Sequence, residues 1–309
     1  MGKTKKQRSW PDLEVVQPLP VPVMDNHTHL PIDGEEFAFA SQAPSRDALT
    51  LVELAHEVGV NRIITSACEA PSWLPTLQMA RELMGVRVAV AIHPNEAAMH
   101  AGVRAVAADG LQPHVLPHHE VELDVAMVRM TELVRSHSDV VVAIGETGMD
   151  LFRTNEQGLD AQRESMRAHI ALAKELNLPL QIHDRDAHEQ CIEVLEKDGA
   201  PERTIFHCFS GDTQMADHLT SRGWYASVAG PVTYKANGSL REAIARIPGN
   251  LLLCETDAPY LSPVPWRGRP NGSYMMPATV RFLAEQRGLS LETMCEQLDA
   301  NSTAVYGAW

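Results

Sequence analysis

A chain of 309 residues, 44% of them hydrophobic, is long enough to bury a large core, and its five widely spaced cysteines contain no CxxC pair, which excludes a disulfide framework and a zinc ribbon. The formal charge of −14, from 40 acidic and 26 basic residues, excludes broad electrostatic attraction to nucleic acid. Positive charge for a polyanionic substrate must then be local, and no run of about 18 apolar residues is present to cross a membrane.

The N-terminus opens with a basic stretch, Met1 to Arg8, followed by a segment broken at Pro11, Pro18, Pro20 and Pro22. An unbroken apolar stretch of the kind a signal peptide needs is therefore missing, and the expected location is the cytoplasm. Residues 1–20 are expected to be a disordered or extended leader, and residues 21–309 one domain. Within that domain, apolar β-branched runs alternate with amphipathic stretches. Val21–Asp25 predicts a strand, Arg46–Val58 a helix, Arg62–Ser66 a strand, Leu74–Met84 a helix and Val86–Ile92 a strand. His93–Glu120 is too long for an ordinary connection and holds five histidines, so it is taken as an insertion, centred on about 99–121. A mobile surface excursion or a metal-binding loop would each account for it.

The alternation then resumes. A helix over Val121–Ser136, a strand over Val140–Ile144, a long helix over Asn155–Leu176 and a strand over Pro179–Ile182 are expected. They are followed by Ala187–Lys197 (helix), Thr204–Phe206 (strand), Thr213–Arg222 (helix), Trp224–Val228 (strand), Leu240–Arg246 (helix) and Leu251–Cys254 (strand). Pro277–Arg287 and Ser290–Tyr306 predict terminal helices. Eight strands separated by helices imply parallel βα units, which close as a TIM (β/α)8 barrel or lie open as a doubly wound sheet. No glycine-rich phosphate loop follows a strand, which argues against nucleotide binding.

Metal-capable side chains fall at successive strand ends. His27 and His29 end the first strand, Glu146 the fourth, His183 the fifth and His207 the sixth, and Asp257 follows the eighth. In a barrel these ends converge on one mouth. His27 and His29 are two apart, so both face one side of an extended segment. Imidazoles and carboxylates together suit zinc, manganese or another divalent ion, and Glu146 has two oxygens with which to bridge a pair. Two such ions activate a water and stabilise the displaced oxygen, so no serine or cysteine nucleophile is needed, and no GxSxG elbow is present. Cys208 and Cys254 adjoin these positions but read as buried thiols. Lys235, Arg153, Arg267 and Arg269 are candidate backbone contacts for a nucleic acid, and Trp266 and Tyr260 candidate stacking platforms.

These motifs, from Met24-Asp25-Asn26-His27-Thr28-His29 through Ile92-His93-Pro94, Gly145-Glu146-Thr147-Gly148-Met149-Asp150, His183-Asp184-Arg185 and His207-Cys208-Phe209-Ser210-Gly211 to Glu255-Thr256-Asp257-Ala258-Pro259, resemble the TatD family of metal-dependent hydrolases over about Val23 to Tyr306. The resemblance implies a barrel of the amidohydrolase type and a metal-dependent deoxyribonuclease, often a 3′ to 5′ exonuclease. Its cofactors would be two divalent ions (Mg²⁺, Zn²⁺ or Mn²⁺), and its substrate DNA presented as a single strand or a frayed end, with no obligate protein partner. It assigns His27, His29, Glu146, His183, His207 and Asp257 as ligands, with Glu146 bridging. Asp257 would also orient or deprotonate the water, and His93 would contact a phosphate or the leaving group. Arg185 would pair with a phosphate through its guanidinium. An ester or amide hydrolase, acting for example on an aminoacyl-tRNA bond or a small amide, would use the same site. Three departures stand out: Asn95 replaces a second histidine after His93-Pro94, the insertion is long enough to narrow or cover the mouth, and the N-terminal leader is extra.

Overall fold

The computed structural model describes residues 9–32 and 45–309. Eight parallel strands form one sheet in sequence order: β1 (Val23–Thr28), β2 (Val60–Ala67), β3 (Val86–Val90), β4 (Val141–Asp150), β5 (Leu180–Arg185), β6 (Thr204–Phe206), β7 (Tyr225–Val228) and β8 (Leu252–Cys254). The segment after β8 returns to β1. Asp257 donates its backbone N–H to the His27 carbonyl at 3.0 Å, and His29 donates to the Ala258 carbonyl at 2.7 Å. The sheet therefore curls shut as a TIM-type barrel, and the open doubly wound alternative is excluded.

Helices cover the outside: α1 (Ala48–Glu57), α2 (Ala70–Glu82), α3 (Pro94–His100), α4 (Leu123–Ser136), α5 (Leu159–Leu176), α6 (His188–Asp198), α7 (Thr213–Arg222), α8 (Gly238–Arg246), α9 (Met276–Arg287) and α10 (Leu291–Tyr306). Several start where a polar side chain satisfies a free N–H: Asp47 accepts from Thr50, Asp212 from Met215 and Ser290 from Thr293. The core has two parts. The larger, between helices and strands, includes Val23, Ile63, Val88, Ile144, Leu180, Ile182, Phe206 and Leu252. The smaller fills the barrel with Met24, Ile64, Ala89, Ala143, Ile205 and Leu253, and Val305 and Tyr306 at the end of α10 plug its base. Strands flanked by apolar packing on both faces give the unbroken apolar runs seen in the sequence.

Two expectations change. Residues 9–20 are not a disordered leader. Val16 and Leu19 are buried, Leu19 N–H donates to the Val58 carbonyl at 3.0 Å, and the Tyr274 hydroxyl donates to the Pro11 carbonyl at 2.8 Å. The prolines at 11, 18 and 20 lie in a strap packed against the barrel; residues 1–8 of the expected leader lie outside the described residues. The stretch expected as a loop from His93 begins with α3, whose start is built by the His93 ring accepting from Asn95 N–H and by Pro94 at the first turn. Only residues 101–116 are irregular, and a 3₁₀ turn, Pro117–Glu120, leads to α4.

Candidate metal centre

Barrel geometry brings all six expected donors together, with help from two bulges. Along β1 the register against β2 slips between Asp25 and Thr28, and along β4 the register against β5 slips between Ile144 and Thr147. An extra residue in one strand re-aims the side chains beyond it. The slips turn His27 and Glu146 into the barrel, each three residues past an interior apolar residue, Met24 and Ala143. Glycines make the β4 arrangement possible. Gly145 and Gly148 have φ of +156° and +143°, and a Cβ on Gly148 would stand 2.1 Å from the His183 carbonyl oxygen. Asp257 takes the left-handed conformation at φ +50°, which aspartate tolerates.

Glu146 is the centre. Its Oε1 lies 3.5 Å from His29 Nε2 and 3.8 Å from His27 Nε2, and Asp257 Oδ1 lies 3.6 and 3.8 Å from the same two nitrogens. Its Oε2 lies 2.8 Å from His183 Nδ1 and 2.7 Å from His207 Nε2. The two oxygens thus face two different donor groups. Atoms sharing an ion at about 2.1 Å stand roughly 3–4 Å apart, so the His27–His29–Asp257–Glu146 set has the spacing of a ligand cage. His27 Nε2 fits that reading independently: it is buried without a hydrogen-bond partner. Among the described residues, two metal-capable groups consist wholly of the six donors: His27, Glu146 and His207, and His27, His29 and Asp257.

Neighbouring side chains fix these rings. Asp150 Oδ2 sits 3.2 Å from His183 Nε2, and Glu255 Oε1 sits 3.4 Å from His207 Nδ1. Asn95 donates to Asp150 Oδ2 at 3.2 Å and accepts from the Thr154 hydroxyl at 2.8 Å, so the residue that departs from the family pattern supports Asp150. Burial, then the charge of His207, pushes His27 down to about 4 and keeps it neutral. Burial opposes a charge on Glu146, but His207 and His183 overcome it and hold the carboxyl well below its usual range. Burial also opposes protonation of His183, yet its bonds to Asp150 and Glu146 raise it to about 9. His93 is different. Its Nδ1 accepts the Asn95 N–H at 3.1 Å, so a neutral ring carries its proton on Nε2, 3.9 Å from Glu146 Oε2. It offers a donor to the site rather than a lone pair.

A cavity of about 950 Å³ opens above these groups, and His93, Arg185, Arg153 and Tyr260 line it. One wall is the irregular excursion, through Val103, Ala105, Leu111 and His114. Arg185 lies 4.1 Å over the Phe152 ring, whereas Arg267 lies over Tyr234 at 4.3 Å and Trp266 packs on the core. All five cysteines are free, and burial pushes the Cys68 and Cys208 thiols well above their ordinary value, which removes them as thiolate nucleophiles. The excursion's histidines form a clip. His118 Nε2 and His119 Nε2 each stand 2.8 Å from Glu96 Oε2. His119 Nδ1 accepts the Leu116 N–H at 2.8 Å, so its Nε2 bears the proton that Glu96 accepts, and that ring has no lone pair left for an ion.

Fold and donor set define a class: a metal-dependent hydrolase built on a TIM barrel. The chain belongs to the TatD related DNase family, whose model matches residues 24–307. It is 37% identical to the uncharacterized metal-dependent hydrolase TatD of Mycobacterium tuberculosis, covering 92% of this chain and 98% of that protein. It is 32% identical to the uncharacterized metal-dependent hydrolase YabD of Bacillus subtilis, covering 91% and 96%. Among solved structures, the TatD homologue YjjV of Escherichia coli superposes with a TM-score of 0.76 at 24% identity, over 93% of this chain and 98% of that one. Among the described residues no helix is long and apolar enough to cross a membrane.

Asp150, Glu255 and Asn95 are the supporting residues that the sequence reading assigned no role. The first two stood inside the quoted motifs, Gly148-Met149-Asp150 and Glu255-Thr256-Asp257, as acidic residues within a few positions of a donor. That proximity was the available signal.

Proposed function

We propose that the protein is a single-domain phosphodiesterase that removes nucleotides from an end of DNA, 3′ to 5′, with two divalent ions held by His27, His29, Glu146, His183, His207 and Asp257. The observation that carries this reading is the divided carboxylate of Glu146, one oxygen toward each donor group. When bound, the ions supply Lewis acidity toward a phosphoryl oxygen and lower the pKa of water. The chain's own residues do the rest. Asp257 orients the attacking water and takes its proton. The Nε2–H of His93 donates to a phosphate oxygen, and Arg185, placed over the Phe152 ring, offers paired donors to the neighbouring phosphate. Holding ions requires His183 and His207 to release the protons that Glu146 favours in their absence. The ion identity is open among Mg²⁺, Mn²⁺ and Zn²⁺, since the donor set accepts each. Free thiols throughout agree with a cytoplasmic enzyme.

The test is metal content per chain beside degradation of end-labelled single-stranded DNA with and without chelator. Two ions and chelator-sensitive loss of terminal nucleotides support the proposal. Two ions with cleavage of acyl esters but not DNA would move the same site to ester or amide hydrolysis. No ion and no activity after adding Mg²⁺, Mn²⁺ or Zn²⁺ would overturn it.

A further inference from the structure

Beneath the donors the barrel interior holds a polar layer that no catalytic role requires. Asn26, Gln181 and Ser227 are fully buried, and Tyr306 nearly so. Every amide group among them is matched. Asn26 Nδ2 donates to Ser227 Oγ at 2.8 Å and to the Cys254 carbonyl at 2.7 Å, and its Oδ1 accepts from the Tyr306 hydroxyl at 3.1 Å. Gln181 Nε2 donates to the Asn26 carbonyl at 2.7 Å and to the Tyr306 oxygen at 2.9 Å. Gln181 Oε1 lies 3.1 Å from His27 Nδ1.

The logic of this layer runs one way. A backbone carbonyl can only accept, so the Gln181 nitrogen must face Asn26 and the oxygen must face His27. An amide oxygen can only accept as well, so His27 must carry its proton on Nδ1. Its Nε2 then presents a lone pair toward Glu146 and Asp257. Ser66 Oγ, 3.2 Å from the same Nδ1, both donates and accepts, so it follows the tautomer rather than choosing it. We infer that Gln181 is a positioning residue that sets the ligand tautomer of His27, and that the Asn26 carbonyl fixes the orientation of Gln181 together with Tyr306 from the C-terminal helix, whose hydroxyl proton is committed to Asn26 Oδ1 so that its oxygen accepts the second Gln181 N–H. The inference rests on the metal reading of the site for its consequence, but the tautomer itself does not depend on any ion.

The experiment therefore has two readouts. Long-range ¹H–¹⁵N spectra of the metal-free protein, with His27 assigned from the signals lost in His27→Gln, should show the Nδ1–H form. An Nε2–H form would overturn the inference whether or not the protein binds metal. Second, Gln181→Leu should shift His27 away from Nδ1–H and weaken one of the two ions about tenfold to a hundredfold, the range for outer partners of a metal-bound histidine, while the other stays near the wild-type affinity. Gln181→Glu keeps an acceptor toward Nδ1 but sets its second oxygen against the Asn26 carbonyl, so it should hold the Nδ1–H form and bind that ion more tightly than Gln181→Leu does, without reaching the wild-type affinity. Tyr306→Phe, which fills the same space, should weaken the same ion by roughly fivefold, one hydrogen bond's worth. Gln181→Leu that keeps the Nδ1–H form, or that binds both ions with wild-type affinity, would refute the positioning role. A wild-type protein that shows the Nδ1–H form but binds no ion would instead sink the metal reading and leave the tautomer assignment standing.

Discussion

His169 offers a quantitative test of how burial and hydrogen bonding control charge in this barrel. The ring is fully buried on α5. Its Nδ1 donates to the Ser165 carbonyl at 2.6 Å, and its Nε2 accepts the Ile92 N–H at 3.0 Å. A second proton on Nε2 would face that N–H, so the native state resists protonation. Burial, the largest influence, lowers the group from 6.5 to about 4. The sign follows directly. Between those values the unfolded chain binds a proton that the native state refuses, so stability falls as pH drops through 6.5 toward 4 and is fully retained above 6.5. At about 1.4 kcal/mol per pH unit, His169 alone accounts for about 2 kcal/mol lost by pH 5 and roughly 3 kcal/mol by pH 4. The assay is denaturant unfolding of chelated protein at pH 7, 6, 5 and 4, comparing wild type with His169→Gln. The variant should be less stable at pH 7 because it packs imperfectly, and its deficit should shrink by roughly those amounts as the pH falls. Other titrating groups cancel in the difference because they are unaltered. Parallel pH curves for the two proteins would refute the assignment of a neutral, twice-bonded imidazole.

Three other outcomes are expected. Asp257→Asn should retain the fold by circular dichroism and lose at least about 100-fold in turnover, because it removes the proton acceptor; activity within tenfold of wild type would contradict its role. Gly148→Ala should cost more than about 3 kcal/mol in urea unfolding, since its Cβ would meet the His183 carbonyl oxygen at 2.1 Å; a loss under 1 kcal/mol would show that the strand ends can part there. Glu96→Gln should loosen residues 101–121 by roughly 1–2 kcal/mol, read as about tenfold faster amide exchange across that excursion, with the metal content unchanged; a fall in bound metal would mean that Glu96, His118 and His119 hold an ion after all.

Much of the fold was legible because parallel strands buried on both sides announce themselves as short apolar runs, β-branched at Ile63-Ile64-Thr65 and all leucine at Leu251-Leu252-Leu253. Barrel closure was not, since an open sheet has the same alternation. Closure depends on backbone bonds between Asp257 and His27 and between Ala258 and His29, 230 and 229 positions apart, which no local pattern carries. The helix α3 escaped periodicity because seven residues make fewer than two full turns with one buried face. Its cap was written in the sequence, with Pro94 at the first turn and Glu96 behind it. The packed strap at 9–20 was hidden by its prolines, which forbid regular structure but not burial.

The donors were legible for a reason only partly correct. Alternation was used to place His27 and His29 on one face, and they do share Glu146. Alternation alone, however, cannot reconcile either ring with Met24. Met24 points into the barrel, so a strict period of two would turn both His27 and His29 outward. The same parity conflict separates Ala143 from Glu146. In both strands the conflict is removed by a register slip between the apolar layer and the donors. The slip has a second effect on β1: Asn26 and His27, neighbours in sequence, both face inward, one into the amide layer and one into the site. A sequence pattern of in–out–in therefore finds the ligands while missing the layer that orients them. Its only written trace on β4 is the pair of glycines flanking Glu146 and Thr147, where a side chain has no room. With three positions from Met24 to His27, an unbroken ladder would turn one of them out of the barrel; deleting Asn26 would put the two in phase without a slip but would remove a member of the amide layer. The apolar layer and the metal centre can coexist in these strands only because the ladder is broken between them.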